Sequence, residues 1–467
     1  MKQRLRVHPY IPNSVPEVRR AMMDAVGIGD IEELYSEIPD HLRFKGTMNL
    51  PKPMPSEYHL RRHVEAIMAK NKNARDNISF LGAGCWPHYV PAVVDEVVNR
   101  AEFLTAYCGD TYSDHGKFQA RFEFYSLMGE LLNLDVVSEP IYDWGAAAGL
   151  SLRMAARITG RNQVLIPRGI CPERLGVIKN LCQPEDMKTA VHIRTYDFDI
   201  NTGLADLEDL ERKISDRVAA VYMETPSYFG VMEIHGDQIA SLAKAHGALA
   251  VAGVDPISLG ILTSPADDGF DILCGDLQPL GVHMLCGGGQ SGFIAFRDEE
   301  IFVAECPLAM YTLVETQREG EFAYAEVLAE RTSYGTRDKG KDWVGTASGL
   351  WTIAAAVYLS LMGPRGMQEV GETILQNAAY ARRQLEMLPG VKVLFGAAFK
   401  EFLVNFDGTG HTVAEIHQWL KEEGIFGGKD VSREYPELGQ CALYCVTETH
   451  MKEDIDHLIA VMKEGLK

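Results

Sequence analysis

The sequence predicts an α/β protein, with a mostly parallel sheet in a large domain and a small α+β domain at the C-terminal end. Three observations carry this. From about residue 58 to 303, short continuous apolar and β-branched runs alternate with helical periods, and strands without a polar face belong to sheets covered on both sides. After Met362 the pattern turns to longer helices with short strands over about a hundred residues, the size of a small domain. Of the 467 residues, 46% are hydrophobic, enough for a large core and too many for a disordered or collagen-like chain.

Residues 1–60 read as an arm. Pro9, Pro12, Pro16, Pro39, Pro51, Pro53 and Pro55 interrupt short helical pieces such as 14–26, where Ser14 and Glu17 have the spacing of a capping box. Such an arm cannot bury its own apolar side chains and should lie on another surface, a partner subunit being one candidate. The large domain, 61–345, follows helices expected at 58–69, 91–103 and 119–132 with strands at 163–167, 219–224, 248–254, 272–274 and 292–296. Helices at 150–159, 172–181 and 236–246 alternate with those strands. Residues 346–467 form a linking helix and the small domain. Val344 to Gly363 carries no charge and could span a bilayer by length, yet its Thr346, Ser348, Thr352 and Ser360 and the lack of flanking basic anchors favour a buried helix. A helix at 367–388, strands at 391–395 and 402–406, a helix at 413–423, a strand at 442–447 and a closing helix at 451–466 complete the chain.

Lys and Arg number 45 against 65 Asp and Glu, a formal net charge of −20 that repels polyanions, and no basic block opposes it. Neither nucleic acid nor a membrane is therefore an expected partner. The nine cysteines include no C-x-x-C pair and the histidines have no zinc spacing, so the expectation is reduced thiols in a cytoplasmic protein and no metal. The first twenty residues are charged and lack the apolar core of a secretory signal.

In a doubly wound sheet, ligands sit where strands end and loops begin. One such place is Tyr142 to Gly149, where Gly145, Ala146 and Ala147 could turn free N–H groups and a helix dipole toward a phosphate; close packing would demand the same small residues. Another is Val254 to Gly260. A carboxylate such as Asp255 at a buried strand end needs a cation or donors, which the protonated pyridine nitrogen of pyridoxal phosphate would supply; the alternative is that Asp255 caps the turn that Pro256 and Ser258 favour. Covalent use of that cofactor needs a lysine amine on the next strand-loop. No lysine occurs between Lys244 and Lys339, and Pro279 stands at the expected place.

The chain resembles the glycine cleavage system P-protein family, specifically the alpha half of its two-chain form. The resemblance rests on Asn49 to Pro51, Phe80 to Gly84, His88 to Asp95, Glu102 to Tyr107, Tyr142-Asp143, Phe229 to Val231, Val254 to Gly260, Gln278 to Gly281 and Tyr435 to Gly439, taken in order. It implies the aminotransferase-like fold, type I of the pyridoxal-phosphate enzymes, and pairing with glycine dehydrogenase subunit 2, the beta chain. It further implies that beta supplies the lysine and holds pyridoxal phosphate, with none covalent on this chain. The implied reaction releases CO2 from glycine and passes the aminomethyl group to the lipoyl H-protein. The catalytic set of this chain is accordingly none, with Asp255, Gly145, Ala146 and Ala147 as vestigial cofactor or interface positions.

Three segments depart from the family pattern: 108–116, 143–146 and 330–345. They leave open a divergent paralogue acting on another amino acid or amine; two other readings are a non-catalytic scaffold that docks the carrier and a self-sufficient enzyme whose amine comes from outside the expected window, for example Lys339 or Lys341. Trp86 with His88 could face a ligand, though a loop histidine is more often a plain surface group, and His115 with Asp114 could form an acid–base pair near the Tyr112 turn, though adjacent residues on a loop seldom point together. Cys85 and Cys286 lie in glycine-rich turns without a nearby base, and Gly287 to Gly289 favour tight backbone approach over anion binding.

Overall fold

The computed structural model describes residues 7–8, 10–104, 115–184, 187–285 and 290–467. The chain divides into two compact units, Met1–Asn71 and Lys72–Lys467.

The first unit holds helices Pro16–Val26 and Glu57–Met68 joined by 3-10 turns, and none of its described residues is buried. Its end at Asn71 takes in the helix expected to follow the arm. The capping box expected at Ser14 is not formed: the first helix starts at Pro16, and Ser14 Oγ instead accepts from the His8 N–H at 2.8 Å. Proline at the first helical position needs no N–H partner, so the cap is dispensable there.

The second unit is built on a seven-stranded sheet. Its order is Val136–Val137, Gly292–Phe296, Ile272–Asp276, Leu249–Val254, Val218–Thr225, Gln163–Pro167, His192–Tyr196. The last five pair in parallel; Gly292–Phe296 runs antiparallel to both its neighbours. Alternate residues supply two cores. Leu165, Val221, Met223, Ala250, Ala252 and Leu273 enter one, whereas Val164, Ile166, Ala220, Tyr222, Val251 and Ile272 enter the other. This period of two on strands with no polar face is the physical content of a doubly covered sheet.

The helix Leu350–Glu386 links the two parts of this unit. Its first half carries Ala354, Ala355, Tyr358 and Leu359 into the large core, and its second half gives Ala378, Ala381 and Leu385 to the small one. Between them Gly363 leaves helical geometry and Pro364 cannot donate to the ladder, so the helix kinks there. The small core packs against an antiparallel sheet ordered Lys392–Leu394, Glu401–Asn405, Cys441–Cys445, Lys429–Asp430, with helices Val413–Glu422 and Lys452–Gly465. Thr412 and Glu415 form a full capping box on the first of these helices. No described helix is long and apolar enough to cross a membrane.

Candidate functional site

Three parallel strands of the large sheet end in carboxylates, which gather at one place. Val218–Thr225 delivers Glu224, Leu249–Val254 leads into Asp255, and Ile272–Asp276 closes on Asp276. All three are buried, so each needs compensation.

Asp255 has two kinds of partner. Its Oδ1 accepts from the Ile257 N–H at 3.2 Å, and Ser258 donates both its N–H and Oγ to the Asp255 carbonyl, so the residue does cap the turn after its strand. Its Oδ2 lies 2.7 Å from Nζ of Lys400, and both side chains are only 3% exposed. Lys400 immediately precedes the strand Glu401–Asn405 of the small sheet. Its ammonium also lies 3.6 Å from the centroid of the Trp86 ring and donates to His88 Nε2 at 3.0 Å. A lysine ammonium has donors only, so Nε2 accepts and Nδ1 carries the imidazole proton, which it gives to Glu448 Oε2 at 2.9 Å. The Tyr89 N–H completes the Glu448 carboxylate at 2.8 Å. His88, expected in a loop, is thus the buried link between Lys400 and Glu448.

The loop that carries Trp86 is clamped by the Gln-Pro-Leu-Gly turn. Gln278 accepts from the Trp86 N–H at 3.1 Å and donates to the Trp86 carbonyl at 2.9 Å, while Gln290 donates to the Gly84 carbonyl at 2.7 Å. Glu401 closes the same wall: its Oε1 accepts from the Ala83 N–H at 2.6 Å, and burial pushes its carboxyl up.

The opposite wall is a second closed network. Arg174 pairs with Glu224 at 2.5 Å and lies 3.8 Å from the centroid of the Trp144 ring. Trp144 Nε1 donates to Tyr222 OH at 3.0 Å, and that hydroxyl donates to Glu224 Oε1 at 2.9 Å. What remains between the walls is a cavity of about 20 Å³, lined by Gly84, Trp86, Trp144, Tyr228, Asp255 and Lys400 among others.

Gly145, Ala146 and Ala147 lie within the helix Trp144–Thr159, which begins six residues earlier than its expected start at 150, so they are its first turn and not a loop before it. Asp143 caps that turn, its Oδ1 accepting from the Ala146 N–H at 2.7 Å, and Ala147 donates to the Asp143 carbonyl at 3.0 Å. Asp276 accepts from the Trp144 N–H at 3.1 Å and from Gln278 and Ser291 at 2.9 and 3.1 Å. The small residues also serve packing: a Cβ on Gly145 would stand 3.0 Å from Val177 and one on Gly149 would stand 2.8 Å from Leu181, both on the helix Pro172–Cys182.

The two lysines considered as outside amines lie elsewhere. Lys339 is exposed, and Lys341 pairs with Glu305 at 2.7 Å; neither lines the cavity. The divergent segment 330–345 has structural tasks. Arg331 donates to the carbonyls of Val327, Cys306 and Leu308, and Asp342 pairs with Arg153 and Arg157 of the Trp144–Thr159 helix. Burial raises the Cys85 thiol to about 11, so it stays protonated near neutral pH. Residues 105–114, the His115 side chain and Cys286 to Gly289 lie outside the described residues. Among the described residues no cluster of His, Cys, Asp or Glu is placed to hold a metal.

Two carboxylates give the site a pH signature. Burial alone would raise the Glu448 carboxyl, but the hydrogen bonds from His88 Nδ1 and the Tyr89 N–H hold it below its ordinary 4.5. A lowered value means stabilisation present above 4.5 and lost as pH falls below that value. Asp276 has the opposite sign: burial, only partly offset by its three N–H donors, pushes it up from 3.8 to about 6, so its ionisation opposes folding as pH rises through that window. Denaturant midpoints are expected to rise as pH is lowered from 7 toward 5 and to fall below 4.5. Glu448→Gln should flatten only the lower limb; an unchanged lower limb would refute the assignment.

The seven-stranded order, the single reversed strand next to its end and the acid at a buried strand terminus define the aminotransferase-like fold, type I of the pyridoxal-phosphate enzymes. The chain belongs to the glycine cleavage system P-protein family, whose model matches residues 8–462. A protein of Staphylothermus marinus named probable glycine dehydrogenase (decarboxylating) subunit 1 is 36% identical over 461 residues, covering 97% of each chain. The protein of that name from Pyrococcus furiosus is 36% identical over 460 residues, covering 98% of this chain and 99% of its own. A crystal structure of glycine decarboxylase (P-protein) of the glycine cleavage system, in inhibitor-bound form, superposes with a TM-score of 0.85 at 30% identity, covering 98% of this chain and 100% of that one. A sphingosine-1-phosphate lyase from Burkholderia pseudomallei shares the fold at 13% identity, with a TM-score of 0.63 over 92% of this chain and 94% of its own.

The residues present do not fit the cofactor of that fold. The carboxylate that would face a pyridinium already holds an ammonium at 2.7 Å, and the cavity of about 20 Å³ has room for about one water, against ~300 Å³ for a small ligand site. Two carboxylates accept from the first turn of the helix to which a phosphate would go.

Sequence reasoning reached Asp255 and weighed Trp86 and His88, but missed Lys400, Glu401, Glu448, Arg174 and Glu224. The one available signal was Lys400-Glu401 itself, two adjacent charges inside the apolar run from Ala397 to Val404. Charges there must be buried and paired.

Proposed function

We propose that this chain is the alpha subunit of a two-chain glycine decarboxylase and works only with a beta subunit of similar fold. The assembly takes glycine, releases its carboxyl carbon as CO2 and passes the aminomethyl group to the lipoyl group of an H-protein. Pyridoxal phosphate, the lysine that binds it and the reacting atoms belong to the beta chain. The observation that carries the reading is the lysine-free stretch between Lys244 and Lys339, in a chain that aligns along nearly its whole length with proteins named subunit 1. Asp255, Gly145, Ala146 and Ala147 are then vestiges of a cofactor site.

The arm supports the need for a partner. In Pro16–Val26, the side chains of Val18, Met22 and Val26 follow one another at every fourth position, and Leu60, Val64, Ile67 and Met68 do much the same in Glu57–Met68; all seven are exposed. Apolar stripes of this kind are stable only when covered, and the beta subunit is the occupant the reading supplies. The excess of acid and the free thiols suit the cytoplasm.

The test is reconstitution. The full chain, a purified homologous chain with an intact lysine, and a lipoylated carrier are assayed singly and together for CO2 released from carboxyl-labelled glycine. Release is expected only when both chains are present. Glycine-dependent release by this chain alone would overturn the reading, and so would a silent mixture. A mixture that decarboxylates another amino acid in preference to glycine would mark the chain as a divergent paralogue.

A further inference from the structure

We infer that Lys400 is a built-in replacement for the cofactor's ring cation: its ammonium is the permanent counter-ion of Asp255 and keeps the pocket closed. This deepens the reading above by saying how an alpha chain does without pyridoxal phosphate. It is tested on the isolated chain, so its failure and a failed reconstitution are distinguishable.

The geometry has two parts. A pyridine ring bound at this site would bring a protonated nitrogen to Asp255 and a flat face to an aromatic side chain. Lys400 brings a cation to the same carboxylate, 2.7 Å from Oδ2, and places it 3.6 Å from the centroid of the Trp86 ring. The ammonium is then fixed from a third side by His88 Nε2 at 3.0 Å, which is itself tied to Glu448. At the other pole, where the cofactor would present a phosphate to the helix Trp144–Thr159, Asp143 and Asp276 already accept from the N–H groups of Ala146 and Trp144. The chain therefore carries a cation where the cofactor is cationic and carboxylates where it is anionic. An entering molecule would have to displace a buried ion pair at one end and meet like charge at the other.

Lys400 reaches the pocket from the small domain, and Asp255 from the large one. The Lys400 carbonyl accepts from the Val446 N–H at 2.8 Å, and the Glu401 carboxylate holds the Ala83 N–H, so the backbone that positions the amine is pinned on both flanks. A flexible surface lysine could not serve; this one is held as a fixed charge.

Three measurements on the purified full chain decide the matter. Wild-type protein mixed with pyridoxal phosphate, or with pyridoxamine phosphate, is expected to retain neither through gel filtration; retention of either would overturn the inference. Lys400→Ala removes the propylammonium end of the side chain and leaves Asp255 buried without its cation, so the thermal midpoint is expected to fall by roughly 5 °C. Propylammonium should restore at least half of that loss and tetramethylammonium, too bulky for the gap, should not. An unshifted midpoint, or equal effects of the two cations, would overturn the counter-ion role. If Lys400→Ala does not fold, the pair Lys400→Met with Asp255→Asn removes both charges at nearly constant volume and is expected to fold with a near-parental midpoint. Failure of that pair, with Lys400→Met alone no worse, would overturn it as well.

Discussion

Gly230→Ala is expected to leave little or no folded protein, a loss of at least about 4 kcal/mol. Gly230 sits in the turn after the strand Val218–Thr225 with φ of +79°, a conformation that costs alanine about 1 kcal/mol by itself. The larger cost is contact. A Cβ there would stand 1.8 Å from the carbonyl oxygen of Glu401 and 2.3 Å from its carbonyl carbon, both backbone atoms that no rotamer change can move. That backbone cannot retreat freely, because Phe399 donates to the Gly230 carbonyl at 3.0 Å and Met232 donates to the Ala397 carbonyl at 3.1 Å. Retreat would also draw Lys400 away from Asp255. Soluble yield and the urea midpoint are the measurements. Gly176→Ala is the control: Gly176 lies in the helix Pro172–Cys182 with nothing within 4 Å of an added Cβ, and alanine there should stabilise by about 0.5–1 kcal/mol. A Gly230→Ala protein with a midpoint near the parent would show that the turn yields more easily than its hydrogen bonds imply.

The contrast between those two glycines is also the contrast between what a sequence shows and what it hides. Strands such as Gln163–Pro167 and Gly292–Phe296 are legible because their neighbours along the chain already state a doubly buried environment. The strand His192–Tyr196 is not: it lies at the sheet edge, pairs on one side only, and its polar His192, Arg194 and Thr195 read as loop. The hairpin of Tyr311–Glu315 with Phe322–Glu326 is hidden for a similar reason, its mostly exposed residues mixing charge with apolar groups. The kinked helix Leu350–Glu386 could be read as two helices with a break at Pro364 because that break is local. The pocket divides the same way. Asp255 announces itself as an acid at the end of an apolar strand, a local conflict. Lys400 presents the same kind of conflict inside the run from Ala397 to Val404, but its partners Asp255 and His88 lie 145 and 312 residues away along the chain. Short-range patterns state that a charge must be paired; only the packing of the small sheet against the large one states with what.

Arg174→Met is expected to cost about 3–5 kcal/mol, and the cost should depend on pH. Arg174 and Glu224 are both buried, 2.5 Å apart, and the guanidinium also covers the Trp144 ring. Methionine retains much of the aliphatic stem but no charge, which leaves the Glu224 carboxylate with the Tyr222 hydroxyl as its hydrogen-bond donor. A carboxylate so stranded takes up a proton more readily folded than unfolded, so its folded value rises. By linkage the variant's deficit should then grow as pH rises through that raised value and shrink at acid pH, where Glu224 is neutral in both states. Adding Glu224→Gln removes the stranded charge while its amide oxygen can still accept from Tyr222. The double variant should therefore recover most of the loss and lose the pH dependence. Urea midpoints for the parent, both single variants and the pair, each at pH 5 and pH 8, close the cycle. If the pair is no more stable than Arg174→Met, the arginine acts mainly by packing on Trp144, and the wall of the pocket is held by its ring contact and not by its ion pair.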